Sequence, residues 1–578
     1  MAISSRSSTA SITATPAKSA VLGWVKLAEI LFPDINTDPS EYDKIFPKRD
    51  LAEGAMVTRL GPSPTGFIHL GNLYGAFVDE RLAHLSGGIF YLRIEDTDDK
   101  RYVKGAVKTI IDSLKFFDIN FDEGASLDGS HGDYGPYSQS ERKDIYHCFV
   151  KGLVKNGMAY PCFMTEDEIS KIRSTQESNK ETPGIYGKYA KCRHLSYEEI
   201  KTKIDAGENY VIRLRSDGDL SKLAEDICYI EVQDGIRGKL SMPENAQDVV
   251  ILKANGIPTY HFAHVIDDHF MGTTHVVRGE EWLSSLPIHI ELFEKLGFKV
   301  PIYCHTAQLM KLDENGNKRK LSKRKDPELS LDYYRKLGYH PTAVREYLLT
   351  ILNSNYEEWR RENPDSDCND FPFTIEKMST SSALFDLNKL NDVSKNVLVK
   401  IPPEELYKFM LNWAKDFNPG AVEILTKDPM FVSKALNIGR NSKKPRKDLI
   451  NADQMLKFID FFFDEHVSSY EQLPEQIGSS TCSEILKRYL DTYDHSDDQS
   501  AWFDKIRSIA VELGYAAKPK DYKKNPCDFN GHVGHVSTAI RIGLTGKAQS
   551  PDIWEIQQIL GEEKTRQRIK AYMHSTSQ

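Results

Sequence analysis

Between Val57 and Asn72 the chain reads VTRLGPSPTGFIHLGN, and no other stretch limits the possible fold as much. A short apolar strand runs into a loop stiffened by Pro62 and Pro64, and the loop runs into a helix start. Gly61, Gly66 and Gly71 allow close backbone approach to a ligand. At such a junction the free N–H groups and the helix dipole suit a phosphate, and His69 and Asn72 stand at the mouth as hydrogen-bond donors. The alternation continues: residues 72–86 read as helix, FYLRIEDTD at 90–98 as a buried strand ending in acids, and 102–117 as an amphipathic helix. That order predicts a parallel sheet with ligands at the carboxyl ends of its strands. Neither a G-x-G-x-x-G nor a G-x-x-x-x-G-K-[ST] pattern is present here, so an ordinary NAD or P-loop site is not expected.

The HLGN at 69–72, preceded by PSPTG, resembles the first signature of class I aminoacyl-tRNA synthetases. Lys320 to Arg324, inside KRKLSKRKD, resembles the K-M-S-K-S loop of the same class. RIEDTD at 93–98, PYSQSER at 136–142 and TYHFAHVIDDHFMGTTHVVRGEEWLSS at 259–285 narrow the resemblance to the glutamyl-tRNA synthetase family of bacterial or organellar type, over roughly residues 55–575. The resemblance implies ATP, L-glutamate and tRNA(Glu) as substrates, with Mg2+ carried on the phosphates. The implied catalytic residues are His69, Lys320 and Lys323. Ser63, His69, Gly71, Asn72, Glu281, Trp282, Leu309, Met310 and Lys323 are the implied ATP-binding residues. For glutamate they are Arg59, Gly61, Ser63, Glu95, Tyr260, His264 and Arg278.

Physical chemistry supports several of these roles and leaves each a plainer alternative. Arg59 and Arg278 are planar, permanently charged partners for carboxylates, but Arg278 could instead pair with Glu280 or Asp268. Glu95 could take a substrate ammonium, or pair on the surface with Arg93 or Arg101. Leu309 and Met310, at the end of the strand-like run IYCHTAQLM, could be simple core, and so could Trp282. Many members of the family have Asn where His264 stands. KLDENGNKRKLSKRKD reads as a mobile basic loop with a turn at Asn315–Asn317; its lysines either face solvent or neutralise a triphosphate.

The expected architecture is multidomain: a Rossmann-like α/β class I catalytic domain with an α+β insertion, then an all-α anticodon-binding region. Its divisions are an N-terminal extension at 1–50, the first catalytic half at 51–145, an acceptor-stem-binding insertion at 146–256, the second catalytic half at 257–317, the signature loop and stem-contact region at 318–399, and the helical region at 400–578. Residues 24–50 carry one amphipathic helix and nothing chemical. In the insertion, helices at 141–157 and 195–206 flank a charged loop at 170–190, followed by strand-like runs at 210–215 and 248–254. After 400 every strong segment has helical period, with no sign of β-barrels. Some relatives hold zinc in the insertion. Cys162, Cys192 and His194 match three of those ligand positions, and Met164 stands at the fourth, where a thioether is a poor ligand; zinc is not expected.

At 578 residues and 40% apolar content the chain can build several cores, and its formal net charge of −9 means that nucleic acid must be met by local basic patches. Eight scattered Cys fit a reducing compartment, and no apolar run approaches a bilayer span. A soluble cytoplasmic monomer is expected, with a mitochondrial or plastid address as the alternative if MAISSRSSTASITATPAKSA at 1–20 is a transit peptide. A glutaminyl relative is disfavoured by Arg278 and the helical C-terminal half. A truncated tRNA-modifying relative and a simple nucleotidylyltransferase lack that half, and a catalytically dead RNA-binding scaffold need not keep His69, Lys320 and Lys323.

Overall fold

The computed structural model describes residues 18–98, 103–218, 228–464, 467 and 469–576. Residues 1–17, most of the candidate transit segment, lie outside the described residues, as does Arg101. By internal contacts the chain forms two compact units, Met1–Tyr333 with Leu348–Asp386, and Tyr334–Tyr347 with Leu387–Gln578.

In the first unit α1 (Lys18–Leu31) and α2 (Pro39–Ile45) precede the strand β1 (Val57–Leu60), which leads into α3 (Leu70–Leu85). β2 (Ile89–Leu92), α4 (Ala106–Phe116), β3 (Glu123–Ser126) and β4 (Gly129–His131) follow. β1, β2 and β3 are parallel, with Val57 opposite Ile89 and Leu60 opposite Leu92, and β4 runs antiparallel at the edge. All four residues of β1 are buried, as befits a strand covered on both faces. β2 stops at Leu92, so the acids of RIEDTD lie in the loop beyond it and not in the strand. Residues 24–50, read as a chemically silent approach, are part of the core. Leu27, Ala28, Leu31 and Phe32 are buried in one cluster with Ile145 and Phe149. Arg49 forks onto Glu123 with two 2.8 Å bonds, lies 3.8 Å over the Tyr134 ring, and donates to the Met271 carbonyl.

The insertion begins after α5 (Lys143–Lys155) with β5 (Ala159–Cys162), α6 (Glu166–Ser178), α7 (Tyr197–Asp205) and β6 (Val211–Leu214). The charged loop expected at 170–190 is half helix. Thr165 and Glu168 form a capping box that starts α6, and only Ile172 and Gln176 on it are buried, so it has almost no apolar period to read. The hairpin β7 (Tyr229–Asp234) and β8 (Gly238–Pro243) follows, and β9 (Val250–Leu252) pairs with β6.

α8 (Tyr260–Phe270), β10 (His275–Gly279), α9 (Leu286–Leu296) and β11 (Ile302–Thr306) make the second α/β half. β10 and β11 are parallel, and Thr274 links them to β1 through bonds of 2.9 and 2.8 Å with Val57. The run IYCHTAQLM is two strands in two sheets. β11 ends at Thr306, and β12 (Leu309–Leu312) pairs instead with β13 (Lys318–Lys320) and β14 (Ala383–Leu384).

In the second unit every named element among the described residues is a helix, as expected for residues 400–578. Its core gathers Met410, Trp413, Phe462, Tyr489, Trp502, Ile540 and Tyr572. Among the described residues no helix is long and apolar enough to cross a membrane.

Candidate active site

The carboxyl ends of β1 and β10 open into one cleft of about 760 Å³. The loop after β1 forms one wall. A Cβ at Gly61 would stand 2.3 Å from Glu95 Oε1, so only glycine lets the loop pass this acid. The Glu95 N–H in turn donates to the Pro62 carbonyl at 3.1 Å.

His69 caps α3. Its Nδ1 accepts from the Asn72 N–H at 3.2 Å, while Asn72 Oδ1 accepts from the His69 N–H at 3.0 Å. The pair read as two donors is thus a capping box that holds the imidazole still. With Nδ1 accepting, a neutral ring carries its proton on Nε2, and Nε2–H is what His69 can offer a ligand. Burial first, then Lys323, lowers the His69 pKa to about 4 from an ordinary 6.5. The unfolded chain takes up this proton near pH 6.5 and the folded chain only near 4, so this group removes stability as pH falls through that window. The expected NMR titration of the His69 ring has its midpoint near 4, and kcat/KM shows no break from this residue around pH 6.5. A midpoint above 6 contradicts the half-buried, lysine-flanked placement.

Beyond Asn72, the two signature lysines border the same cleft. Lys323 Nζ rests 3.7 Å over the Phe67 ring, whose centroid is 6.0 Å from that of His69. Two neighbouring cations are tied down elsewhere. Arg319 forks onto Asp326 at 2.6 and 2.7 Å, Asp326 accepts the Ser322 N–H at 2.8 Å, and Lys311 pairs with Glu328. The Arg319 hydrogen bond holds Asp326 well below the usual carboxylate range. The segment expected to be a loose basic loop is therefore a β12–β13 hairpin followed by an anchored turn.

The opposite wall carries Arg59, Ser63, Glu95, Tyr260 and Arg278. Glu95 does pair with Arg93, at 2.9 Å, but this is no surface contact: Arg93 is fully enclosed and Glu95 is 8% exposed. Behind them Asp268 is a hub. It takes Arg93 at 2.6 Å, Arg59 at 3.3 Å and His264 at 2.8 Å. Burial raises the Glu95 pKa, and Arg93 and Arg59 oppose the rise. Tyr260 packs against Trp282, with centroids 4.7 Å apart. Among the described residues no carboxylate lies within ion-pair range of Arg278: Glu280 pairs with Arg237, and Asp268 is engaged as above. Arg278 stacks 4.5 Å over Tyr303 and donates to His305 and His289, at 2.9 Å each.

Gly61, Gly71, Glu281, Trp282 and Leu309 also line the cleft. Two expected residues do not. His264 is fully buried, bonded to the Tyr303 hydroxyl, within 2.8 Å of the Asp268 carboxylate and stacked behind Tyr260; it supports the wall without forming it. Met310 lies past the cleft edge, opposite Lys320 and Leu384 in the small sheet. Phe67, Arg93, Asp234, His289, His305 and Asp326 were not legible as site residues; an acid directly after the basic run was the available signal for Asp326.

In the insertion, Cys162 and Cys192 are buried in one cluster. The neighbouring Cys192, aided by Arg213, pulls the Cys162 thiol down, and Cys192 is pushed up. His194 is exposed, and among the described residues no three His, Cys, Asp or Glu side chains gather to hold a metal ion.

A family profile described as the catalytic domain of class I tRNA synthetases (E and Q) matches residues 55–392, more than half of the chain. An anticodon binding domain profile matches residues 527–573. The chain is 60% identical to a glutamate–tRNA ligase of Acetivibrio thermocellus over 550 residues, which is 95% of this chain and 100% of that one. It is 48% identical to a glutamate–tRNA ligase of Clostridium perfringens (strain 13) over 95% of this chain and 100% of that one. Among solved structures it is similar to a glutamate tRNA ligase from Elizabethkingia meningosepticum in complex with its amino acid, with TM-score 0.71, 26% identity, and 90% of this chain and 99% of that one covered.

Proposed function

Since the chain belongs to the glutamate–tRNA ligase family of class I tRNA synthetases, we propose that its cleft holds glutamate beside ATP and joins the amino acid to the 3′ end of tRNA(Glu) through a glutamyl adenylate. One observation carries the choice of amino acid. Arg278 presents a guanidinium to the cleft with no carboxylate of the described protein to neutralise it, while Glu95 supplies a negative charge on the same wall. A substrate with a side-chain carboxylate and an ammonium fits both.

Arg278 takes the side-chain carboxylate and Glu95 the ammonium. Arg59, Gly61, Ser63 and Tyr260 complete the glutamate site. The α-carboxylate then attacks the α-phosphorus of ATP and pyrophosphate leaves. A terminal ribose hydroxyl of tRNA next attacks the adenylate carbonyl and AMP leaves. Neither step uses a protein nucleophile, so catalysis is positioning and charge stabilisation. His69 Nε2–H, Lys320 and Lys323 meet the phosphates. Gly71, Asn72, Glu281, Trp282 and the backbone at Leu309 hold the nucleoside side of ATP. A magnesium ion would be held by the triphosphate itself, since the described residues offer no cluster of ligands for it. The helical second unit supplies the anticodon contacts, and the enzyme acts as a cytoplasmic monomer.

The test is a charging assay with purified chain, ATP, labelled glutamate and tRNA(Glu), with pyrophosphate exchange measured with and without the tRNA. Base-labile, acid-precipitable glutamate on the tRNA is expected, with exchange strongest when tRNA is present. Glutamine charged as well as glutamate would remove the role given to Arg278.

A further inference from the structure

Arg278 is held by groups that no step of the reaction uses. A guanidinium has five N–H donors and no acceptor, so both imidazoles it touches must accept from it. At His305, Nε2 accepts from Arg278 Nε, which requires the ring proton on Nδ1; that N–H points at Asp234 Oδ2, 2.6 Å away. At His289, Nδ1 accepts from Arg278 Nη1, which places the proton on Nε2, bonded to His261 Nδ1 at 2.9 Å. Arg278 Nη2 reaches the Trp282 carbonyl at 3.4 Å. Three of the five donors are thereby engaged, and two are left for a ligand.

Asp234 is itself built in. It is fully buried at the end of β7, and its Oδ1 accepts the Ile236 and Arg237 N–H groups at 2.9 Å each. Burial alone would raise its carboxyl, but the His305 ring and these N–H groups override burial and keep it below the ordinary range. The hairpin turn after it is pressed onto β11: the Gly235 N–H donates to the Tyr303 carbonyl at 2.8 Å, and a Cβ at Gly235 would meet Cys304 Sγ at 2.7 Å.

We propose that Asp234, acting through the tautomer of His305, is the positioning residue that makes Arg278 select a carboxylate over a carboxamide. The assignment rests on the reading above that Arg278 receives the substrate side chain. Its chemistry is specific. In Asp234→Asn, the amide oxygen still accepts from the turn N–H groups, but the amide N–H faces His305 Nδ1. The ring then turns acceptor at Nδ1 and donor at Nε2, and two donors confront each other at Arg278 Nε. The fork loses its fixed direction with no change in side-chain size.

The experiment uses the full-length protein with tRNA(Glu), ATP and either glutamate or glutamine. Asp234→Asn is expected to raise KM for glutamate roughly ten- to a hundred-fold, by analogy with the loss of the outer partner that orients a metal-ligating side chain, with KM for ATP within twofold. The glutamate-to-glutamine ratio of kcat/KM is expected to fall by the same factor. His305→Gln keeps an acceptor for Arg278 whatever residue 234 is, so Asp234→Asn should add nothing in that background. In the unaltered protein, imidazole ¹⁵N shifts should report Nδ1–H on His305 and Nε2–H on His289, a measurement that does not depend on any variant folding. An unchanged KM for glutamate in folded Asp234→Asn overturns the proposal, as do effects that multiply in the double variant or a His305 proton on Nε2. Wild-type protein that charges no glutamate overturns the parent reading and this one with it.

Discussion

Lys323→Ala is expected to lose roughly a hundred- to a thousand-fold in adenylation, about 2.7–4 kcal/mol of transition-state stabilisation, while glutamate and ATP still bind. The size follows from which cations remain available. Arg319 and Lys311 are committed to Asp326 and Glu328. Among the described residues Lys323 has only the face of Phe67 under it, 3.7 Å away, and a cation–π contact of this kind is worth about 0.5–1 kcal/mol when exposed. A triphosphate outcompetes a ring for an ammonium, so Phe67 is a resting place that Lys323 leaves at little cost. Pyrophosphate exchange in the presence of tRNA, with ATP and glutamate binding measured separately, checks the result. Exchange within threefold of the unaltered protein would be a refutation.

Asp268→Ala is expected to be the most damaging single change to the stability of the first unit. One carboxylate with no measurable exposure is shared by Arg93, Arg59 and His264, two of them fully enclosed. Burial would raise Asp268, but His264, Arg59 and Arg93 override it and hold it well below the usual range. Deleting one member of such a buried set leaves the partner charges uncompensated, at about 3–5 kcal/mol. Arg93 would then keep Glu95 at 2.9 Å and Asp267 at 3.8 Å and would draw harder on Glu95, so the ammonium site should weaken along with the fold. Urea unfolding followed by circular dichroism, with glutamate binding on whatever folds, tests both. A midpoint that moves by less than the equivalent of about 0.5 kcal/mol, the scatter of neutral surface substitutions, would show that the hub is dispensable.

The parts of the site legible in the sequence are those whose geometry is local. Pro62, Pro64 and the glycines announce a loop, and the step from loop to apolar periodicity places a helix start at His69. Both depend on neighbours within a few residues. Glu95 shows where local reading ends: its partner Arg93 is two positions away and was named, yet that the pair is enclosed depends on Asp268. The Asp234–His305 bond spans 71 positions and joins a hairpin of the insertion to a strand of the catalytic half, so no periodicity or spacing could reveal it. The position of His264 behind the wall escapes the sequence for a related reason. On an isolated helix it lies one turn from Tyr260, but only the tertiary fold decides that Tyr260 covers it. The apolar run from Ile302 to Met310 gave no sign of changing sheets, because a strand that crosses between sheets keeps the same composition.

The segment ahead of the catalytic profile bears on where this enzyme can be cut. The profile begins at residue 55, a natural place to start a minimal fragment. Yet Leu27, Ala28, Leu31 and Phe32 fill the cluster that Ile145 and Phe149 share, and Arg49 neutralises Glu123 at the third strand of the sheet. A fragment begun at residue 55 would expose that apolar face to water and strand an acid beside it. The physical border of the catalytic body therefore lies upstream of its homology border, and cloning designs that follow homology alone would remove part of the structure they mean to isolate.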